Sequence, residues 1–226
     1  MVGILDSGMG AYFTLAEFRK YNNHSDVLLL ADRENAPYGI KDTESLKEIL
    51  TSAKRRLESL GAEKILLACC TASSVYPLLD EECRRMMIPI IAPVANEAVG
   101  LSKNKKIAVL STKATKDSRA FNKAISSLDE SAEVFGFSSP ELVAMAEADI
   151  CDENLSPSDY EKIKEIVMPI KKSGIDTLIL GCTHFCAFRG TIEQMLSVKT
   201  VDSAKIGALT LLKEKLPSES GATVIL

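Results

Sequence analysis

A chain of 226 residues, 46% hydrophobic and 26% charged, has the ordinary balance of a globular protein and room for one large domain or two small ones. Its net charge of −4, with no clustered basic stripe, argues against a nucleic-acid surface, and no apolar run reaches membrane-spanning length. Six cysteines (Cys69, Cys70, Cys83, Cys151, Cys182 and Cys186) outside any small disulfide scaffold imply reduced thiols in a cytoplasmic protein.

Met1 to Leu5 enter a strand directly, without the pattern of a signal peptide. Val2 to Leu5 read as that strand, Asp6-Ser-Gly-Met-Gly10 as its loop and Ala11 to Lys20 as a helix. Val27 to Ala31 form a second strand, followed by the turn-forming Asn35-Ala-Pro-Tyr-Gly39. The helix from Asp42 to Leu60 shows an apolar face of Leu46, Ile49, Leu50, Ala53, Leu57 and Leu60, with Gly61 where a C-terminal cap belongs. Ile65 to Ala68 form a third strand that ends at Cys69. A helix disturbed near Pro77 continues to Met87. Ile88 to Ile91 form a short fourth strand, and Pro93 to Asn96 mark a crossing point.

The second half restarts at Lys106. Ile107 to Leu110 mimic the opening strand, and Ser111-Thr112 take the place of Asp6-Ser7. A helix from about Lys116 to Leu128, a strand from Ala132 to Phe137 and a helix from Pro140 to Ile150 follow. The next helix starts at Ser156-Pro157, Ser as cap and Pro in the first turn, with a core face of Tyr160, Ile163, Val167 and Ile170. Thr177 to Leu180 form the strand that delivers Cys182, Val198 to Val201 a last strand, and Ala204 to Leu216 a last helix.

One motif occurs twice. Gly61-Ala-Glu-Lys-Ile-Leu-Leu-Ala-Cys69 and Gly174-Ile-Asp-Thr-Leu-Ile-Leu-Gly-Cys182 share the order glycine, apolar residue, acid, any residue, three aliphatics, small residue, cysteine. Threonine follows in both, at Thr71 and Thr183. Short apolar runs of this kind are buried parallel strands, and ligands bind outside the carboxyl ends of such strands. The fold class is therefore α/β: two similar domains, each a parallel sheet flanked by helices, with a shared interdomain cleft. The domains expected are residues 1–94 with 205–226, and residues 95–204.

A single cysteine at a strand end is ordinarily an inert core residue; the matched pair is what points to chemistry. A thiol at a helix start lies in positive potential, which lowers its pKa. Two such thiols, one removing a proton from carbon and the other returning one to the opposite face, invert a stereocentre without a cofactor. The carbanion beside a carboxylate needs donors, which backbone N–H groups, Ser7, Thr71 and Thr183 can supply. Asp6 and His184, one per half, are placed to tune the thiols. Read by themselves, Cys70, Cys83, Cys151 and Cys186 are structural. No chelating Cys-x-x-Cys spacing suggests a metal, and Gly8-x-Gly10 is not a dinucleotide fingerprint.

Asp6-Ser7-Gly8, Pro37-Tyr38-Gly39, Ala68-Cys69-x-Thr71-Ala72, Glu147 and Gly181-Cys182-Thr183-His184 resemble glutamate racemase, within the aspartate/glutamate racemase superfamily. The stretch from Ser111 to Ser118, with Thr115, also resembles that family's second-domain loop. The resemblance covers nearly the whole chain. It implies a cofactor-independent, usually dimeric racemase that takes glutamate and supplies D-glutamate for peptidoglycan, and so for cell-wall biogenesis and cell shape. By the same resemblance Cys69 and Cys182 are the acid/base pair, with Asp6, Glu147 and His184 auxiliary. Ser7, Tyr38, Gly39, Thr71 and Thr183 bind the amino acid, as do Asp6, His184 and the residue at position 70, while Thr115 reaches the side-chain carboxylate.

Three positions depart from the family's pattern. Cys70 stands where it has Asn, which removes an amide. Ala11, followed by Tyr12 and Phe13, stands where a glycine is expected. Phe185-Cys186 replaces Tyr-Pro. Two other functions fit the residues: the same chemistry on aspartate or another acidic amino acid, and a non-catalytic metabolite-binding homologue. A related decarboxylase would need only one thiol.

Overall fold

The structure, a computed structural model, describes residues 1–214 and 220–226. It divides into two compact units, Met1–Ile90 with Ala204–Leu226, and Ile91–Ser203.

The first unit runs β1 (Val2–Asp6), α1 (Gly10–Arg19), β2 (Val27–Ala31), α2 (Thr43–Ser59), β3 (Lys64–Leu67), α3 (Cys70–Val75), α4 (Glu81–Met86) and β4 (Met87–Pro89). The second runs α5 (Ile91–Leu101), β5 (Lys106–Ser111), α6 (Lys113–Ser118), α7 (Ala120–Leu128), β6 (Glu133–Ser138), α8 (Pro140–Glu147), α9 (Pro157–Lys171), β7 (Thr177–Gly181), α10 (Arg189–Leu196) and β8 (Lys199–Asp202). The chain then adds α11 (Ser203–Leu211) and β9 (Thr223–Ile225) to complete the first.

Each unit holds one all-parallel sheet, of order β4-β3-β1-β2-β9 in the first and β6-β5-β7-β8 in the second. The central strands β1, β2 and β7 are buried at every residue, which is why they read as unbroken aliphatic runs. The two sheets repeat one plan. From β1 the chain moves outward to β2, and from β3 it moves the opposite way to β4. From β5 it moves to β6, and from β7 the opposite way to β8. The order of winding therefore reverses between β1 and β3, and again between β5 and β7. Side chains leaving the carboxyl ends at such a reversal line the crevice where open α/β sheets bind ligands.

Local sequence accounts for the frame. Asp42 caps α2 by accepting the Ser45 N–H. At the other end Gly61, at φ +95°, lets its N–H reach the Glu58 carbonyl and that of Ala62 reach the Leu57 carbonyl, a Schellman closure. Ser156 and Asp159 form a capping box at the start of α9.

Several expected elements differ. Ile91 and Pro93–Asn96 lie inside α5, because proline is tolerated in a first turn whose N–H groups have no helical partner. The helix expected from Lys116 to Leu128 begins earlier and breaks at Arg119, which is left-handed at φ +55°. Pro140–Ile150 ends at Glu147, and Asp149 turns with φ +60°. Tyr160 is 37% exposed rather than core, while Ile163, Val167 and Ile170 are fully buried; Leu60 is likewise exposed. The last helix ends at Leu211 among the described residues, and the Leu216 end expected for it lies outside them.

Candidate active site

Each reversal point carries one cysteine. Cys69 leaves β3 as the extended N-cap of α3, and Cys182 leaves β7 in extended conformation before a 3-10 segment, Thr183–Phe188. Both are 6% exposed.

In the first unit, Asp6 ends β1 fully buried, and its Oδ1 accepts the Gly8 N–H at 3.1 Å. Ser7, on the same loop, has its hydroxyl 3.9 Å from the Cys69 sulfur. Cys70 and Thr71 open α3, each 1% exposed. Ser73 ties that helix down, donating to the Leu67 carbonyl at 2.9 Å and accepting the Ile90 N–H at 3.1 Å. Tyr38 and Gly39 lie in a 3-10 turn, Tyr38–Ile40, after a cis Ala36–Pro37 bond. The Tyr38 ring is buried in the same apolar cluster as Cys69, Ala72 and Val75. Its hydroxyl donates to Asp32 Oδ2 at 2.6 Å. Burial pushes the Tyr38 phenol far above its ordinary pKa, helped by that hydrogen bond and by the nearness of the acidic groups of Asp32, Cys69 and Asp6. Tyr38 is therefore a fixed neutral donor and not an acid/base group.

In the second unit, the Cys182 sulfur lies 3.5 Å from Nδ1 of His184. Nε2 of the same imidazole meets Oε1 of Glu147, the last residue of α8. His184 is 4% exposed, whereas Glu147 is exposed, its side chain at 39%. The result is a chain of thiol, imidazole and carboxylate in which the carboxylate fixes the ring's orientation. Thr183 is 1% exposed beside it. Thr115 lies in the first turn of α6 and is also 1% exposed; its hydroxyl accepts from Thr112, and its N–H donates to the Thr112 hydroxyl. That loop leaves β5, the strand paired with β7.

Within the first unit the structure thus gathers Asp6, Ser7, Cys69, Cys70 and Thr71 at one reversal point, with Tyr38 and Gly39 on the adjoining turn. Within the second it gathers Cys182, Thr183, His184 and Glu147, with Thr115 on the neighbouring strand's loop. Sequence reasoning missed Asp32, which holds Tyr38, and Asp202, which ends β8 and accepts from the Cys186 thiol at 2.7 Å. Asp32 follows the fully buried strand β2 and Asp202 is the buried end of β8, and a strand-end placement was the available signal. Among the described residues, no group of three or more His, Cys, Asp or Glu side chains is placed to hold a metal ion, and no helix is long and apolar enough to cross a membrane.

Two parallel α/β units with a strand-end thiol at each reversal point define a class of protein, and comparison with known proteins agrees. The family model described as Asp/Glu/Hydantoin racemase matches residues 16–211, and the chain belongs to that family. It is 35% identical over 204 residues to a glutamate racemase of Desulforudis audaxviator, covering 88% of this chain and 72% of that one. It is 33% identical over 213 residues to the glutamate racemase of Aquifex pyrophilus, covering 93% and 81%. Among solved structures, a glutamate racemase isoform from Bacillus anthracis superposes with a TM-score of 0.89 at 27% identity, over all of this chain and 86% of that one.

Proposed function

We propose that this protein is a cofactor-independent racemase that interconverts L- and D-glutamate through Cys69 and Cys182. The observation that carries the reading is the repeated half-site: the same strand, ending in the same residue type, at the same reversal point of two sheets, in a chain of the racemase family. Relatives named glutamate racemase support the substrate.

The chemistry follows from the side chains. One cysteine, as thiolate, takes the α-proton, and the C–H electron pair stays on carbon as the carbanion. The other cysteine, as thiol, gives its proton to the opposite face and becomes the thiolate. Atoms and charge balance, and the enzyme is left poised for the reverse direction. His184, oriented by Glu147, holds or releases the proton of Cys182, while Asp6 and the Ser7 hydroxyl serve Cys69. Thr71, Thr183, Tyr38, Gly39 and the residue at position 70 receive the amino acid, and Thr115 its side-chain carboxylate. The same reading has the protein working in the cytoplasm as a homodimer, supplying D-glutamate for peptidoglycan.

The test is incubation with L-glutamate in deuterated water, following α-proton loss by NMR and inversion by circular dichroism. Exchange together with inversion is expected. Binding of glutamate without either would overturn the reading and leave a metabolite-binding protein, and faster exchange of aspartate would reassign the substrate.

A further inference from the structure

Between Asp32 and Leu46 only one residue is buried, and it is Tyr38. Its neighbours Ala36, Pro37 and Ile40 are exposed, Ile40 at 83%, and Gly39 is half-buried. The one buried anchor of the turn is therefore the Tyr38 ring, set into the core beside α3. What locks that ring is Asp32. This carboxylate, 8% exposed, follows β2 directly, and its backbone N–H donates to the Asp6 carbonyl at 2.8 Å, which ties it to the end of β1. Its Oδ2 accepts the Tyr38 hydroxyl at 2.6 Å, and Asn35 Nδ2 donates to both its oxygens at 3.0 Å. Among the described residues no Lys, Arg or His ion-pairs with it. A carboxylate this buried is retained at a cost unless its hydrogen bonds do something specific. Here they fix two points of one loop, Asn35 and Tyr38, against the end of the strand next to β1.

We propose that Asp32 is a positioning residue: through the Tyr38 hydroxyl it sets where the Tyr38–Gly39 backbone stands beside the Cys69 half-site. The inference rests on the proposed racemase reading for its substrate. It also goes beyond that reading, because Asp32 itself touches no reacting atom.

The test compares the full-length protein with Asp32→Ala, Tyr38→Phe and the double variant, with L-glutamate as substrate. Each single variant raises KM by about tenfold, the worth of one charged hydrogen bond, and leaves kcat within about threefold. The double variant is no worse than the weaker single, because the two side chains act as one unit. A merely structural role would lower the melting temperature and the active fraction without moving KM. Unchanged KM in both folded singles, or additive losses in the double, overturns the proposal. If Asp32→Ala fails to fold, Asp32→Asn takes its place, since it keeps the volume but removes the negative charge that strengthens both hydrogen bonds and turns one acceptor oxygen into a donor. If the parent does not racemise glutamate, the function reading falls by itself. Alkylation of Cys69 by iodoacetamide, mapped by mass spectrometry, then decides: faster labelling in Asp32→Asn and Tyr38→Phe than in the parent supports the positioning role, and equal rates overturn it.

Discussion

Gly181→Ala probes how tightly the second thiol is placed. The repeat alone makes the change look harmless, because the first unit carries Ala68, fully buried, at the matching position before Cys69. The surroundings differ. A Cβ on Gly181 would stand 3.1 Å from Cε2 of Phe121, 3.2 Å from Cβ of Ser111 and 3.2 Å from Cγ1 of Val109. All three neighbours are buried, and two lie on the adjoining strand β5. Each must yield a few tenths of an ångström at once, an overpacking that costs about 1–3 kcal/mol. For a protein of this size that lowers the melting temperature by about 2–12 °C. The strain falls on the residue before Cys182 and so on its 3.5 Å approach to His184. Because an ångström of misplacement costs about 100-fold, turnover falls by roughly tenfold. Differential scanning calorimetry and racemisation kinetics read the two effects. The control is Gly100→Ala, on α5 with nothing within 4 Å of the added methyl, expected to stabilise by about 0.4–1 kcal/mol. Parent-like melting and turnover in Gly181→Ala would refute the reasoning.

Two further outcomes follow. Cys70→Asn returns an amide to a buried position beside Cys69, and racemisation of glutamate is expected to be kept or raised; a sharp loss would show that this chain binds its substrate by another scheme. Asp176 concerns stability and pH. Burial works to raise its pKa, but hydrogen bonds from Ser102, from the Asn104 and Lys103 N–H groups and from Thr177 hold it below the usual carboxylate range. A depressed native pKa means the stabilisation is complete above the unfolded value near 4 and is lost as pH falls through the native one. Asp176→Asn is therefore expected to destabilise by about 1–2 kcal/mol at pH 7, and urea titrations should show the gap closing as pH falls below about 4. A gap independent of pH would contradict the sign.

The parallel sheets were legible because their central strands are buried on both faces and so appear as aliphatic runs, and the repeat was legible because both runs end in a small residue and a thiol. Strand-end residues such as Ser7 and His184 inherit their positions from those runs. The rest depended on tertiary context. Arg119 carries no glycine to announce a left-handed break. Tyr160 keeps the helical spacing of a core residue while lying at the stripe's edge. The short edge strand Thr223–Ile225 has too few residues for a pattern, and it exists through its pairing with β2. Asp32 looks like an ordinary turn acid until the fold brings the Tyr38 hydroxyl to it across six residues.

The central claim is that the two thiols share one reaction. The direct measurement is the racemisation rate of glutamate, in both directions, for Cys69→Ser and Cys182→Ser, each shown to be folded by calorimetry. Loss of an essential acid/base group predicts a fall of about 10²–10⁴-fold in both variants and in both directions. Parent-like turnover in either variant would remove that cysteine from the mechanism and contradict the account.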